Sequence, residues 1–152
     1  MAIETADRPL TPYHSEAEIM EIVDGFRSRT LPAARWTHQA HLTVGLWHLL
    51  NRPADTVLEE IRRGIIAYNT AVGTPNSDSR GYHETITAFY VWAIRRYLRG
   101  GDTARPLLAL MNGLLASACA TKSYPFEFYS RERLLSVAAR RGWLDPDLKP
   151  LD

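Results

Sequence analysis

Apolar residues recur every three or four positions along most of the chain, and this helical spacing is what most restricts the folds available to it. The clearest case is TVLEEIRRGIIAYNTAV, in which Val57, Ile61, Ile65 and Tyr68 fall on one face before Gly73 ends the pattern. No segment alternates convincingly between apolar and polar residues, as a half-buried strand would. The sequence therefore predicts an all-α fold.

Helix start signals mark the first two helices. Ser15, with Glu18 three residues later, forms a capping box ahead of an apolar repeat. Thr37 is a suitable N-cap for a second helix, which we expect to run to about Asn51.

Three further helices are expected after the one that ends at Gly73. The segment GYHETITAFYVWAIRRYLR is long and unbroken, which favours a helix over a strand. Asp102 or Thr103 can cap the next helix, with Pro106 tolerated in its first turn. Ser130 is expected to cap a sixth helix that covers RERLLSVAARR.

The length of 152 residues suits one hydrophobic core, and 45% hydrophobic with 23% charged residues is a globular composition. We expect a single helical domain over residues 1–152, built as a bundle of about six helices. Residues 1–14 are expected to form a loose lead, and residues 144–152 an irregular tail.

Charge and apolar content restrict the partners. The formal net charge of +1 provides no strong field for nucleic acid or an anionic membrane. The chain has no run of about 20 apolar residues and no apolar leader with a cleavage site, so we expect a cytoplasmic protein without a membrane partner. The single cysteine, Cys119, is expected to be a buried structural thiol. The apolar segment LLALMNGLLASA could contribute to a homodimer.

Histidines are concentrated in RWTHQAHLTVGLWHLL, residues 35–50. His38 and His41, three residues apart in the first turn of a helix, can converge on one metal ion. His83 lies in the first turn of another helix, in GYHETIT. We predict that these three histidines hold a divalent ion such as zinc, iron or copper, and that Glu84 completes the shell or acts as general base toward a metal-bound water. His48, deeper in its helix, is expected to pack in the core or to hydrogen-bond to a metal ligand, and not to bind the metal directly.

Two other interpretations of these histidines stay open. Imidazoles near helix starts also bond to carbonyl groups or pack against aromatic rings, and two histidines three apart form a far less specific motif than HExxH. The same residues could also perform acid–base catalysis without a metal.

Five residues are candidates for binding a small-molecule substrate. Trp36 and Tyr82 come just before the histidines, where they would form an aromatic rim or simply pack at the helix entries. Asn69 interrupts an apolar helix and could orient a substrate, unless it lies on the surface. Glu127 and Tyr129, in the aromatic connector SYPFEFY, are candidates for a carboxylate ligand or base and for a proton donor, or the connector is aromatic core.

The segments WTHQAHL, IIAYN, GYHETIT and YSRERLLSVAARRGWLDPDL resemble an uncharacterised group of small all-helical bacterial proteins with WTHxAHL and GYHET signatures. The resemblance spans about residues 15 to 151 and implies only that these segments belong together. In size and helix content the chain also resembles DinB-type metal-binding helix bundles. That family has a closing pair of histidines on a late helix, whereas no histidine follows His83 here, so its site is not transferred.

The sequence thus predicts a small metal-dependent enzyme, a lyase, hydrolase or isomerase, with a three-histidine site. The alternative is a non-catalytic helical module that binds a small molecule or dimerises, with structural histidines.

Overall fold

The structure, a computed structural model, describes residues 10–152. In that range it has seven α-helices and no strand, which confirms the predicted all-α fold. The helices are α1 (Glu16–Arg27), α2 (His38–Asn51), α3 (Val57–Ala71), α4 (Glu84–Arg99), α5 (Leu107–Ala116), α6 (Arg131–Leu134) and α7 (Val137–Arg141). Short 3₁₀ turns lie at Ala33–Arg35, Ala118–Ala120 and Tyr124–Glu127.

Side-chain caps fix the starts of α1 and α2 where the sequence predicts them. The Ser15 hydroxyl accepts a hydrogen bond from the Glu18 amide at 3.3 Å, and the Thr37 hydroxyl accepts one from the Ala40 amide at 3.2 Å. Each bond satisfies an amide that has no partner inside its own helix.

Two helix boundaries differ from the prediction. The fifth helix starts only after Pro106, while Asp102 accepts from the Ala104 amide at 2.9 Å and so caps a preceding turn. The predicted sixth helix is divided into α6 and α7, because the Ser136 hydroxyl accepts from the Ala139 amide and starts a new helix. Such local hydroxyl bonds compete with helix continuation.

The core consists of two adjoining clusters of buried side chains. One joins α1, α2, α4 and α5 and extends to α6, with Phe89, Met111 and Leu134 fully buried. The other lies among α1, α2 and α3, around Phe26 and Tyr68. Helix α2 contributes to both clusters and packs against α3, while His38 in its first turn bonds to the 3₁₀ turn at 118–120.

Both ends of the described chain are held by specific bonds. Thr11 exchanges two hydrogen bonds with the Gln39 amide group, and Tyr13 exchanges two with that of Asn112. Residues 10–14 are therefore fastened to α2 and α5, unlike the loose lead predicted there; the rest of that lead lies outside the described residues. The tail is irregular, as predicted, and the Trp92 indole donates to the carbonyl of Asp152 at 3.1 Å.

Two further predictions concern Cys119 and membranes. Cys119 is half-buried, with its sulfur 2.9 Å from the Ser117 hydroxyl, so it is less enclosed than expected. None of the helices within residues 10–152 combines the length and apolar character needed to cross a membrane.

Candidate functional site

Four of the predicted site residues line one cleft of about 400 Å³, which we call the α2–α3 cleft. They are Trp36, His38 and His41 from the start of α2 and Asn69 from the end of α3. The remaining lining residues are Ala33, Thr37, Tyr68, Val72, Thr74, Gly81 and Lys122.

His41 presents a hydrogen-bond acceptor in this cleft. Its Nδ1 lies 2.7 Å from the carbonyl oxygen of Thr37, which can only accept, so Nδ1 carries the proton and Nε2 a lone pair. Nε2 has no hydrogen-bond partner among residues 10–152. In that range every side-chain nitrogen or oxygen that is shielded from solvent does have a hydrogen-bond partner, so an atom without one must be accessible to solvent. Nε2 is therefore open to solvent. Burial of the ring lowers the pKa of His41 well below its usual range, which keeps it neutral at pH 7.

Trp36 forms an aromatic wall beside His41. Its ring lies 3.8 Å from that imidazole, 4.8 Å from the Phe26 ring and 5.1 Å from the Tyr68 ring, measured between centroids. The Tyr68 hydroxyl donates to the carbonyl of Leu31 at 2.7 Å, so Tyr68 offers only its ring to the cleft. Trp36, which was predicted to form a rim, is half-buried and forms a wall of the cleft that packs against the imidazole of His41.

Asn69 presents a second acceptor because a neighbouring amide fixes its orientation. The Asn76 side chain donates from Nδ2 to the Ile66 carbonyl, and its Oδ1 accepts from the Tyr82 amide at 3.1 Å. The same Oδ1 lies 3.0 Å from Asn69, so it is the NH₂ group of Asn69 that faces Asn76. The residue Asn69 is only 5% exposed, and its Oδ1 has no partner within residues 10–152. Because every enclosed side-chain oxygen in that range has a partner, this Oδ1 is open to solvent.

His38 lines the cleft with a different bonding role. Its Nε2 lies 2.7 Å from the carbonyl oxygen of Ala120, so this nitrogen donates and carries no free lone pair. Its ring packs edge-on to Tyr90, with centroids 5.4 Å apart. His38 ties α2 to the 3₁₀ turn at 118–120 and closes one side of the cleft.

His83 does not join the other two histidines. It is the N-cap of α4, where Nδ1 accepts from the Ile86 amide at 3.1 Å and Nε2 donates to the carbonyl of Leu134 at 3.0 Å. Both ring nitrogens are thus engaged with the protein, and burial lowers the pKa of His83 to about 4. The predicted ligand is in this structure a neutral link between α4 and α6.

Glu84 is held in an ion pair away from the cleft. Arg62 donates to its two oxygens at 2.8 and 2.7 Å, and the Tyr82 hydroxyl donates at 2.6 Å. These hydrogen bonds hold the pKa of Glu84 below its usual range, and the bond from Arg62 is the largest cause. Neither Glu84 nor Tyr82 lines the α2–α3 cleft; together they fasten the start of α4 to α3.

The two candidates from the aromatic connector also lie elsewhere. Glu127 is exposed in the 3₁₀ turn at 124–127. Tyr129 is fully buried and donates to the carbonyl of Leu144 at 2.6 Å, while burial raises its pKa. Tyr129 therefore belongs to the core, which was the open alternative for this segment.

Within residues 10–152 no three His, Cys, Asp or Glu side chains lie close enough together to hold a metal ion. The structure brings His38 and His41 to one cleft with Trp36 and Asn69, and it leaves His83, Glu84, Tyr82, Glu127 and Tyr129 outside it. The three-histidine ligand set expected from the sequence is not assembled in this arrangement.

Sequence reasoning missed Asn76 and Gly81, which shape the cleft from the loop GTPNSDSRG. Asn76 orients Asn69, and Gly81 has a φ of 82° with no room for a side chain beside the Pro75 carbonyl. A glycine in this left-handed conformation lets the loop turn back toward α4. The available signal was a turn-rich polar loop directly before a predicted histidine site.

Comparison of the chain with protein-family models, curated proteins and solved structures gives no match.

Proposed function

We propose that the chain is a small-molecule-binding module whose α2–α3 cleft holds a planar, uncharged ligand with two N–H or O–H donors. The observation that carries this proposal is the pair of acceptor atoms, His41 Nε2 and Asn69 Oδ1, on residues that line one cleft beside the Trp36 ring. Acceptors with fixed orientation select a ligand that donates, because a bound acceptor would leave polar atoms unpaired.

The aromatic wall favours a flat ligand. Trp36 is held in place by the Phe26 and His41 rings, so a flat ligand can pack against the remaining aromatic surface of Trp36 and Tyr68 with little further ordering. The volume of about 400 Å³ falls within the usual range for ligand pockets and fits a fused bicyclic ring.

The electrostatics of His41 favour binding over proton transfer. An efficient general base has a pKa near the working pH, whereas burial holds the pKa of this imidazole well below that range. A neutral imidazole with a fixed tautomer is a good acceptor and a poor base. This supports the binding module and not metal-free acid–base catalysis.

The test uses benzimidazolone, a neutral bicyclic ring with two adjacent N–H donors, and its 1,3-dimethyl derivative, which lacks them. Titration followed by tryptophan fluorescence should detect benzimidazolone, and the dimethyl derivative should bind at least tenfold more weakly. His41→Phe and Asn69→Leu should each weaken binding of benzimidazolone by about two- to tenfold, the effect of one lost hydrogen bond. Asn51→Leu, a control at an exposed amide on α2, should bind like the parent.

Equal binding of the two compounds would contradict the donor-selective cleft, as would unchanged affinity in both variants. Circular dichroism of each variant checks that the fold is retained. Trp36→Phe should abolish the fluorescence change, since none of the three other tryptophans lines the α2–α3 cleft.

A metal-dependent lyase, hydrolase or isomerase remains a second proposal. It is favoured by His38 and His41 lining the same cleft, with Nε2 of His41 open to solvent. Elemental analysis of the purified protein tests it: stoichiometric metal that is lost in His41→Ala would support the enzyme. Metal-free protein that binds no added zinc would contradict it.

A further inference from the structure

A second cleft, nearer the start of α3, is lined by four arginines. It lies between the end of α1, the end of α2 and the middle of α3, has a volume of about 280 Å³, and we call it the arginine cleft. Its lining residues are Phe26, Arg27, Arg29, His48, Arg52, Glu60, Arg63, Gly64 and Ala67. None of these residues lines the α2–α3 cleft.

The charges in the arginine cleft are unbalanced. Glu60 is the single acidic lining residue, and Arg52 neutralises it through two hydrogen bonds of 2.8 and 2.9 Å. Arg63 pairs with Glu59, which lies outside the cleft, at 3.0 Å. Within the described chain no ion pair is formed by Arg27 or Arg29, so the cleft holds an excess of positive charge.

Arg29 occupies a backbone conformation that an arginine rarely adopts. Its φ is 62°, and within residues 10–152 it is the single non-glycine residue with positive φ. It follows the C-cap Ser28 of α1, a position where glycine is usual because a side chain is disfavoured there. Unfavourable backbone geometry of this kind is often found at binding sites, and here it coincides with an arginine that has no acidic partner.

His48 adds a buried acceptor to this basic surface. Its Nδ1 donates to the Val44 carbonyl at 2.7 Å, so Nε2 carries a lone pair. The residue is 5% exposed and lines the cleft, and Nε2 has no partner within residues 10–152. Because every enclosed side-chain nitrogen or oxygen in that range is bonded, this Nε2 opens into the cleft. An anion without a proton cannot donate a hydrogen bond to this lone pair.

We infer that the arginine cleft binds a protonated phosphate group, either free phosphate or a phosphate monoester. Arg27 and Arg29 would bind the anionic oxygens, and the remaining P–OH would donate to Nε2 of His48. Arginine is suited to phosphate because its planar fork of N–H donors matches two oxygens. The combination of cations with one neutral acceptor distinguishes phosphate from sulfate, which has the same shape but no proton at neutral pH.

The experiment is calorimetric titration at pH 6.5 and low salt with inorganic phosphate, sulfate and glycerol 3-phosphate. Phosphate should bind with a dissociation constant of about 1 mM or below, and sulfate at least fivefold more weakly. Arg29→Gln and Arg27→Gln should each weaken phosphate binding about tenfold, the effect of a lost charged hydrogen bond. Arg99→Gln, the same change on an exposed arginine at the end of α4, should bind like the parent. His48→Phe should bind the two inorganic anions equally.

A further variant distinguishes the effect of the Arg29 backbone conformation from the effect of its charge. Arg29→Gly should raise the melting temperature by about 2 °C, since glycine adopts this φ without cost, while phosphate affinity falls as in Arg29→Gln. Binding of glycerol 3-phosphate as tight as that of phosphate would assign the site to a monoester, and weaker binding would assign it to the free ion. Absence of phosphate binding at 10 mM, or equal binding in the parent and Arg29→Gln, would overturn the inference. Neither result depends on the α2–α3 cleft, which contains none of these residues.

Discussion

The starts of α2 and α4 are two similar pieces of sequence with opposite uses of histidine. In WTHQAH, Thr37 caps the helix, which leaves the ring of His41 with one nitrogen open to the α2–α3 cleft. In GYHET the histidine is itself the cap, and both nitrogens of His83 are bonded to protein. His83 is engaged because it is itself the cap, whereas at the start of α2 a threonine caps the helix and His41 keeps one ring nitrogen available.

The surroundings of the two segments follow the same division. Beside His41 lies an aromatic wall with a free acceptor from Asn69, whereas beside His83 the polar groups of Tyr82, Glu84 and Arg62 bond to one another. In the proposed function the first segment binds a ligand, whereas the second joins helices. Three substitutions and a change of pH test this difference between the two helix starts, and the largest effects are expected at α4.

Replacement of His83 by alanine should destabilise the protein by about 3 kcal/mol. The variant loses an N-cap, worth about 1 kcal/mol, and leaves the buried Leu134 carbonyl without its donor, which costs about 1–3 kcal/mol. Urea unfolding followed by circular dichroism measures the change. A loss below about 1 kcal/mol would mean that His83 is not the structural link described here.

Acidification should destabilise the protein through His83 by about 1.5 kcal/mol between pH 6.5 and 5. The unfolded chain protonates this imidazole near pH 6.5, whereas burial lowers its pKa to about 4 in the folded protein. The stabilisation is therefore complete above pH 6.5 and is lost as the pH falls toward 4, by at most about 1.4 kcal/mol per pH unit. Unfolding curves at several pH values measure this slope.

The variant His83→Asn keeps a capping side chain. It should reduce the slope of the unfolding free energy with pH by about the amount that corresponds to uptake of one proton on unfolding. If His83→Asn retained the parent slope, His83 would not be the titrating group.

Replacement of Glu84 by glutamine should cost about 1 kcal/mol and leave ligand binding unchanged. The ion pair with Arg62 is only partly buried, with 13% and 32% of the two side chains exposed, so solvent weakens it. Thermal unfolding measures the stability, and the benzimidazolone titration measures binding. A loss of benzimidazolone binding with unchanged stability would mean that Glu84 takes part in ligand binding.

Replacement of His41 by alanine should change stability least, by about 0.5 kcal/mol. Loss of the contact with Trp36, about 1 kcal/mol, is partly offset by the higher helix propensity of alanine. The same urea experiment applies, alongside His83→Ala. Equal destabilisation by the two variants would remove the distinction between the two segments.

Local signals in the sequence were sufficient for most of the fold. Apolar spacing and the caps Ser15 and Thr37 predict α1 and α2 because each depends on residues within a few positions of one another. The division of the last predicted helix at Ser136 was missed, since a serine inside a helical pattern can either continue the helix or restart it.

The candidate site was predicted only in part. Trp36, His38, His41 and Asn69 meet in one cleft, but the partner of His83 is a carbonyl 51 positions away in sequence. The orientation of Asn69 depends in the same way on Asn76, across a loop whose path no local pattern specifies. Bonds between distant backbone groups and side chains decide which nitrogens remain available.

His41 and His83 use their ring nitrogens in opposite ways, and imidazole nitrogen NMR of ¹⁵N-labelled protein at pH 7 reports which nitrogen of each ring carries the proton. We expect two neutral rings of opposite tautomer, His41 protonated at Nδ1 and His83 at Nε2, assigned with His41→Phe and His83→Asn. Benzimidazolone should shift only the Nε2 resonance of His41. The same tautomer in both rings, or a charged ring at either position, would show that the two histidines do not differ in this way.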